Sequence, residues 1–326
     1  MCTVKRLLFA WLVLPTLGFT TGAAIAQEDR FPTRTVRIIV PLTAGSAADL
    51  LARQAAAQMS ANWTQPVIVE NRTGAGGTIG VNAVAKAPPD GYTMLIHSAA
   101  FATSAAIYPT LPYDPIRDLI PVSQLAIAPL VLVVAPSGPK SVQQLVALAK
   151  QKPGQITFGS SGIGSSTHFG AEQFNLAAGI NALHVPYKGP AEALVDTAAG
   201  RIDYFLAPII AASPFIKDGR LLPLAVSTRQ RASTLPEVPA IAEVGLPAYE
   251  YRDWWGLFLP AGTPQAIIDK AAKEVARILA MPDVQRQLAV QGAQASPMAP
   301  PEFGAFVRAS IEESRRIVAS TGIKPQ

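Results

Sequence analysis

Short apolar runs rich in β-branched residues alternate along the chain with longer stretches whose apolar positions recur every three or four residues. Val36-Arg37-Ile38-Ile39-Val40 is the first such run and predicts a strand, followed by a loop at 43–49 and a helix through residue 59. A second strand at 67–69 leads through Asn71-Arg72-Thr73-Gly74-Ala75-Gly76-Gly77 into a helix over about 78–86. The turn Pro88-Pro89-Asp90-Gly91 then introduces a third strand over 92–96. Further strands are predicted at 130–134, 156–158, 183–185, 203–207, 222–226 and 254–259, and further helices at 141–150, 165–178, 190–199 and 209–217. A helix beginning at Thr263-Pro264, with Thr263 as cap and Pro264 in the first turn, carries the stripe Ile267, Ala271, Val275 and Ile278. The last helix, 301–320, carries Phe303, Val307, Ile311 and Val318 and is stopped by Gly322. Strand, glycine-bearing loop and helix in alternation predict an α/β fold built of βαβ units on parallel sheets. No linker separates an N-terminal from a C-terminal block. Two lobes are therefore expected, with the chain crossing near 122–128 and returning near 251–258: 27–125 with 252–326 as lobe 1, and 126–251 as lobe 2.

The first 26 residues stand outside this pattern. Lys5 and Arg6 precede an apolar run of 7–19, and Ala24-Ile25-Ala26 is an A-x-A cleavage signal. This predicts a secretory signal peptide cut after Ala26, the apolar run being shorter than the roughly 20 residues of a spanning helix. The one cysteine, Cys2, lies within that segment, so the exported chain is expected to be free of disulfides and held by its core. The net charge of +5 becomes +3 with Lys5 and Arg6 removed. Basic residues form no cluster interleaved with aromatics, so nucleic-acid binding is not expected. A soluble periplasmic protein is.

Catalysis and cofactor binding find no support. The three histidines, His97, His168 and His184, have no metal-ligand spacing. Ser165, Ser166 and His168 are close in sequence, but 159–163 is not a nucleophile elbow. The glycine runs at 74–79 and 162–167 each lack the third glycine of a dinucleotide fingerprint, and neither is a phosphate loop; the 74–77 run reads as a tight βα turn. What remains is a device used twice. The loops at 43–49 and 159–167 each follow a strand, open a helix, and offer backbone N–H groups that have no intrahelical acceptor and a partial positive charge. On facing lobes, at the carboxyl ends of their strands, the two would grip one anionic group. Trp254-Trp255 reads as core or hinge packing, with one ring walling the cleft as the alternative, and Lys188 as an exposed lysine, with contact to the ligand as the alternative.

The order of several motifs resembles a known family. Val69-Glu70-Asn71-Arg72 with Gly74-Ala75-Gly76-Gly77, Pro89-Asp90-Gly91-Tyr92-Thr93, Gly162-x-Gly164 with His168, Pro186-Tyr187-Lys188-Gly189, Leu235-Pro236-Glu237-Val238-Pro239, Glu243-x-Gly245-Leu246-Pro247 and Trp254-x-Gly256-Leu257 are similar to those of the Bug (Bordetella uptake gene) receptors. These are the periplasmic solute-binding components of tripartite tricarboxylate transporters. The resemblance implies a periplasmic-binding-protein (Venus-flytrap) fold, two α/β lobes joined by crossing hinge strands. It implies a small carboxylate ligand held in the cleft, membrane permease subunits as partners, a monomer, no cofactor, no metal and no catalytic activity. Carried onto this chain, the ligand loops are Ala44, Gly45, Ser46, Ala47 and Asp49 in lobe 1, and Gly162, Gly164, Ser165, Ser166, Thr167 and His168 in lobe 2, with Tyr187 and Ala207 from neighbouring strand ends. Two departures stand out. Ser46 replaces the second glycine usual in the first loop, and Leu206-Ala207-Pro208 holds no acid to pair a ligand ammonium. A plain mono- or dicarboxylate is therefore expected over an amino acid. A sensor for a signalling partner, or a secreted enzyme acting on a carboxylate, are the alternatives.

Overall fold

The structure, a computed structural model, describes residues 31–321 and 323; the expected signal peptide and the expected stop at Gly322 lie outside these. The chain opens with β1 (Val36–Val40), α1 (Ala47–Trp63), β2 (Val67–Asn71), α2 (Thr78–Ala85), β3 (Thr93–Ser98), α3 (Ala100–Ile107) and β4 (Leu119–Ala128). It continues with β5 (Leu130–Val134), α4 (Val142–Gln151), β6 (Thr157–Ser160), α5 (Ser166–Ala178), β7 (Leu183–Pro186), α6 (Pro190–Ala198), β8 (Tyr204–Pro208), α7 (Ile209–Lys217) and β9 (Leu222–Val226). It closes with β10 (Asp253–Pro260), α8 (Gln265–Leu279), α9 (Pro282–Val290), β11 (Gln294–Ala295) and α10 (Pro300–Thr321).

Two sheets result, in the orders β11-β4-β10-β3-β1-β2 and β7-β6-β8-β5-β9. Their βα units are parallel, as the pattern predicts: β1 pairs with β2 and β3, and β6 with β7 and β8. The sheets are nevertheless mixed. β5, the first strand after the chain enters the second sheet, lies antiparallel to β8 and β9. β10, the first strand after it returns, lies antiparallel to β3 and β4. A strand arriving from the other lobe enters its sheet from the opposite end, so it runs against its neighbours. β4 stays in the first sheet through Ala128, where it pairs with β10 at Asp253.

Each sheet is apolar on both faces, which is why its strands read as continuous runs. Ile38, Met94, Trp255 and Leu257 pack under α1 and α8, while Ile39, Leu95, Trp254 and Phe258 pack under α10. In the second sheet Leu130, Leu132 and Phe158 form one core and Val131, Val133, Phe205 and Ala207 the other. A fifth cluster joins Ile107, Phe169 and Ile317 across the lobes, with Val318 half-buried beside it. At α8 the expected cap moves by one residue. Pro264 occupies the cap position and the helix begins at Gln265, because the Thr263 hydroxyl donates to Pro260 O at 2.8 Å instead.

Candidate ligand-binding cleft

The second-lobe loop is built backwards from the start of α5. Gly162 and Gly164 have φ of +119° and +82°, a region that costs glycine little and other residues much. Ser165 caps the helix: its hydroxyl accepts from His168 N–H at 3.2 Å and donates to Gly162 O at 2.7 Å. Thr167 Oγ1 accepts from Ser161 N–H at 2.8 Å, and His168 Nδ1 accepts from Gly164 N–H at 3.2 Å. The His168 proton is thus assigned to Nε2. These bonds hold the loop rigid and leave the N–H groups of Ser166 and Thr167 without an acceptor among the described residues.

An open cleft of about 400 Å³ lies in front of this loop. Ser161, Ile163, Gly164, Ser165 and Ser166 line it from the second lobe. From the first come the carboxyl ends of three parallel strands: Pro41, Leu42 and Thr43 after β1, Thr73, Gly74, Gly76 and Gly77 after β2, and Ser98 of β3, followed by Ala100, Ser104, Ile107 and Tyr108 on and after α3. None of the lining side chains carries a charge. The lobes touch at the cleft, where Thr103 Oγ1 donates to Gly164 O at 2.7 Å. A second hollow, of about 290 Å³ at the crossing strands, is bounded by Arg229, Arg231, Glu250 and Arg252. Its arginines are paired to Glu250 and Glu243, and no βα loop opens into it.

The residues expected to bind ligand divide into three groups. Gly164, Ser165 and Ser166 line the cleft. Gly162, Thr167 and His168 stand behind it and shape the loop. In the first-lobe loop Ala44, Gly45 and Ala47 are exposed and Ser46 half-buried, and only the neighbouring Thr43 reaches the lining. Ser46 caps α1, and Asp49 braces the loop: its carboxylate accepts from Gly45 N–H (2.9 Å), Arg53 Nε (3.0 Å) and Asn71 Nδ2 (2.9 Å). Burial works against ionisation of Asp49, but these donors outweigh it and hold its carboxyl below the usual range. The Tyr187 hydroxyl donates to Asp196 at 2.7 Å, and Ala207 is fully buried in the core. Conversely, the 74–77 glycine run reads in the sequence as a plain turn, yet it forms a wall of the cleft. The rule that ligands meet strand ends applies to β2 as it does to β1, and was the one available signal.

Behind the loop, His168 stacks on His184 with ring centroids 3.9 Å apart, and its Nε2 lies 3.7 Å from the Glu172 carboxylate. Burial lowers His168 to about 3 and His184 to about 4, the neighbouring ring adding to the effect at His168. Burial raises Glu172 to about 7 against an opposing bond from Asn175. The signs oppose. Between the unfolded-state histidine value near 6.5 and the lowered folded values, acidification protonates the unfolded chain first and removes stability. Glu172, raised from 4.5, holds its proton in the folded state, so it adds stability as pH falls from about 7 towards 4.5. Glu172→Gln is expected to unmask the histidines. Its unfolding free energy should fall by about 1–3 kcal/mol more than that of the unaltered protein between pH 7 and 4.5. Parallel denaturation midpoints across that range would refute this.

Residues 51–323 match the model of the tripartite tricarboxylate transporter family receptor. The chain belongs to this receptor family. BugT of Bordetella pertussis is 34% identical over 305 residues, covering 93% of this chain and 94% of BugT. A Pseudomonas sp. protein encoded between tcbD and tcbE is 37% identical over 305 residues, covering 93% and 91%. Among solved structures, an R. palustris protein with adipate shares 36% identity at a TM-score of 0.80, covering 91% of this chain and all of its own. MatC from Rhodopseudomonas palustris with bound malate shares 30% at 0.76, covering 88% and 100%. The two-lobed α/β fold is shared with these solved structures.

Proposed function

We propose that this protein is an extracytoplasmic receptor that binds a small carboxylate in the interlobe cleft and delivers it to the permease subunits of a tripartite tricarboxylate-type transporter. One observation carries the reading. A cleft without a charged wall faces a helix start whose Ser166 and Thr167 N–H groups have no acceptor among the described residues, an arrangement that favours an anion over a cation. The adipate and malate in the structures of two similar proteins support the ligand class. The receptor acts as a periplasmic monomer after cleavage at Ala26, without catalysis, and its lobes close about the crossing strands. The ligand loops are the one at 43–49, through Thr43, and the one at 162–168, through Gly164, Ser165 and Ser166, with the 74–77 turn added as a third.

A thermal-shift panel tests the reading. A ligand present at 100 times its dissociation constant stabilises by about 2.7 kcal/mol. Adipate, malate or a related plain carboxylate is expected to raise the melting temperature, with aspartate and glutamate weaker, since no acid in the cleft faces an ammonium. A larger shift with either amino acid than with every plain carboxylate would overturn the ligand class.

A further inference from the structure

Asp253, the first residue of β10, stands where both lobes meet the crossing strand. Its Oδ2 accepts from the Ser166 hydroxyl at 2.9 Å and its Oδ1 from the Trp254 N–H at 3.0 Å. The N–H of Ala99, which caps α3 in the first lobe, is also directed at it. One carboxyl thus holds the starts of a helix from each lobe. Ser166 is at the same time a wall of the cleft and the owner of an N–H that has no acceptor among the described residues.

Among the described residues no cation is paired with this carboxyl. On its own segment, Arg252 turns to Glu250 at 3.4 Å, and desolvation of the half-buried Tyr251 hydroxyl, with the Asp253 charge adding to it, raises that phenol so that it stays protonated. On α5, His168 and Glu172 face each other. α3 carries no ionisable side chain, and on α10 Glu313 and Arg316 are paired to one another. Burial without a counter-charge raises Asp253 to about 6. A ligand carboxylate arriving at the α5 start places a second negative charge against it, and like charges at one site push a proton onto one of them.

We propose that Asp253 is a proton-linked tie between the lobes: it shares the start of α5 with the ligand carboxylate, so that the ligand binds with uptake of a proton onto Asp253. The proton comes from solvent and stays on an Asp253 oxygen. The Ser166 hydroxyl, no longer needed as a donor to a carboxylate, is then free to donate to the ligand. Asp253 touches the ligand only through Ser166 and is a positioning residue. By reciprocity, the factor by which the ligand raises the proton affinity of Asp253 is the factor by which protonation tightens the ligand. The inference rests on the carboxylate reading of the cleft.

The test measures the adipate dissociation constant by calorimetry from pH 5.5 to 8 in the unaltered protein and in Asp253→Asn. Titration of adipate itself cancels in the ratio of the two. A coupling of one pKa unit makes the unaltered protein gain about tenfold in affinity relative to Asp253→Asn as pH falls across that range. At pH 7, buffers of different ionisation enthalpy should report net proton uptake for the unaltered protein and none for the variant. The carbon-13 shift of the Asp253 carboxyl reads the same event without substitution, and is expected to move towards the protonated value when adipate is added. Parallel pH profiles, or an unmoved carboxyl signal with adipate bound, overturn the tie and leave the receptor reading standing. No adipate binding at any pH, together with no response to the carboxylate panel, overturns both.

Discussion

Trp254→Ala is expected to lower the unfolding free energy by about 3–5 kcal/mol, the range for truncating a buried large aromatic. Trp254 is 3% exposed and meets Phe303 and Phe306 edge-on, at centroid distances of 5.8 and 5.5 Å. Such pairs add to the area effect. The site has little freedom to collapse. The Phe303 ring fills the space over Gly256, where a Cβ would lie 2.1 Å from Cζ, and it also packs on Phe258 at 5.4 Å. It cannot move into the hole without leaving the hole over Gly256. Trp254 faces α10 rather than the strand-end loops, and it is absent from the lining of the ligand cleft. The loss is therefore expected in the denaturation midpoint at pH 8, with affinity for a bound carboxylate changing by less than about threefold. At that pH Asp253 is ionised in either protein. A large affinity loss with little change in midpoint would show the ring to act on the ligand.

The parts of this fold legible in the sequence are those whose environment is uniform along an element. Leu130–Val134 is buried throughout and Val36–Val40 everywhere but at Arg37, and so both read as apolar runs. α8 has one buried stripe, and Ile267, Ala271, Val275 and Ile278 trace it. α3 was missed for the opposite reason. Ala-Phe-Ala-Thr-Ser-Ala-Ala-Ile is small and enclosed nearly all round, its cap residue Ala99 makes no side-chain bond, and no stripe is visible. β4 reads only as a crossing because its fully buried positions include Ser123 and Gln124, and Pro121 interrupts it. The α9 helix, nine residues with only Val284 and Leu288 buried, has too short a pattern to register.

The site divides along the same line. Gly162, Gly164 and Ser165 are chemistry within one turn: two positive φ angles and a cap, all encoded locally. The role of the first-lobe loop depends on which atoms of a strand-end loop point inward, and the reach of Asp49 to Gly45, Arg53 and Asn71 fixes that loop from behind. Asp253 and Ser166 are 87 positions apart. Their contact exists because β10 returns beside β3 and β4, and no local pattern encodes that register.

Gly164→Val is expected to weaken carboxylate binding by at least tenfold while costing the fold only about 1–3 kcal/mol, the range for a strained backbone position. Gly164 sits at φ +82°, where a β-branched residue is a conformational outlier. An added Cβ would lie 3.0 Å from Ile107 Cδ1 of the opposite lobe. Both strains are relieved by the same movement, a shift of the loop away from α3. That movement stretches the 2.7 Å bond from Thr103 to Gly164 O and the 3.2 Å bond from Gly164 N–H to His168, two of the contacts that fix the loop against the first lobe and against its own helix. The free N–H groups of Ser166 and Thr167 turn with it, so donors preorganised for an anion lose their aim. Gly164→Ala separates the two strains, because alanine tolerates positive φ better than valine and its single methyl reaches Ile107 without branching. It should fall between the unaltered protein and valine in affinity. Calorimetry with the tightest carboxylate of the panel, beside denaturation curves of the three proteins, checks the ordering. Equal affinities across the series, with valine folded, would mean that the second-lobe loop does not hold the ligand.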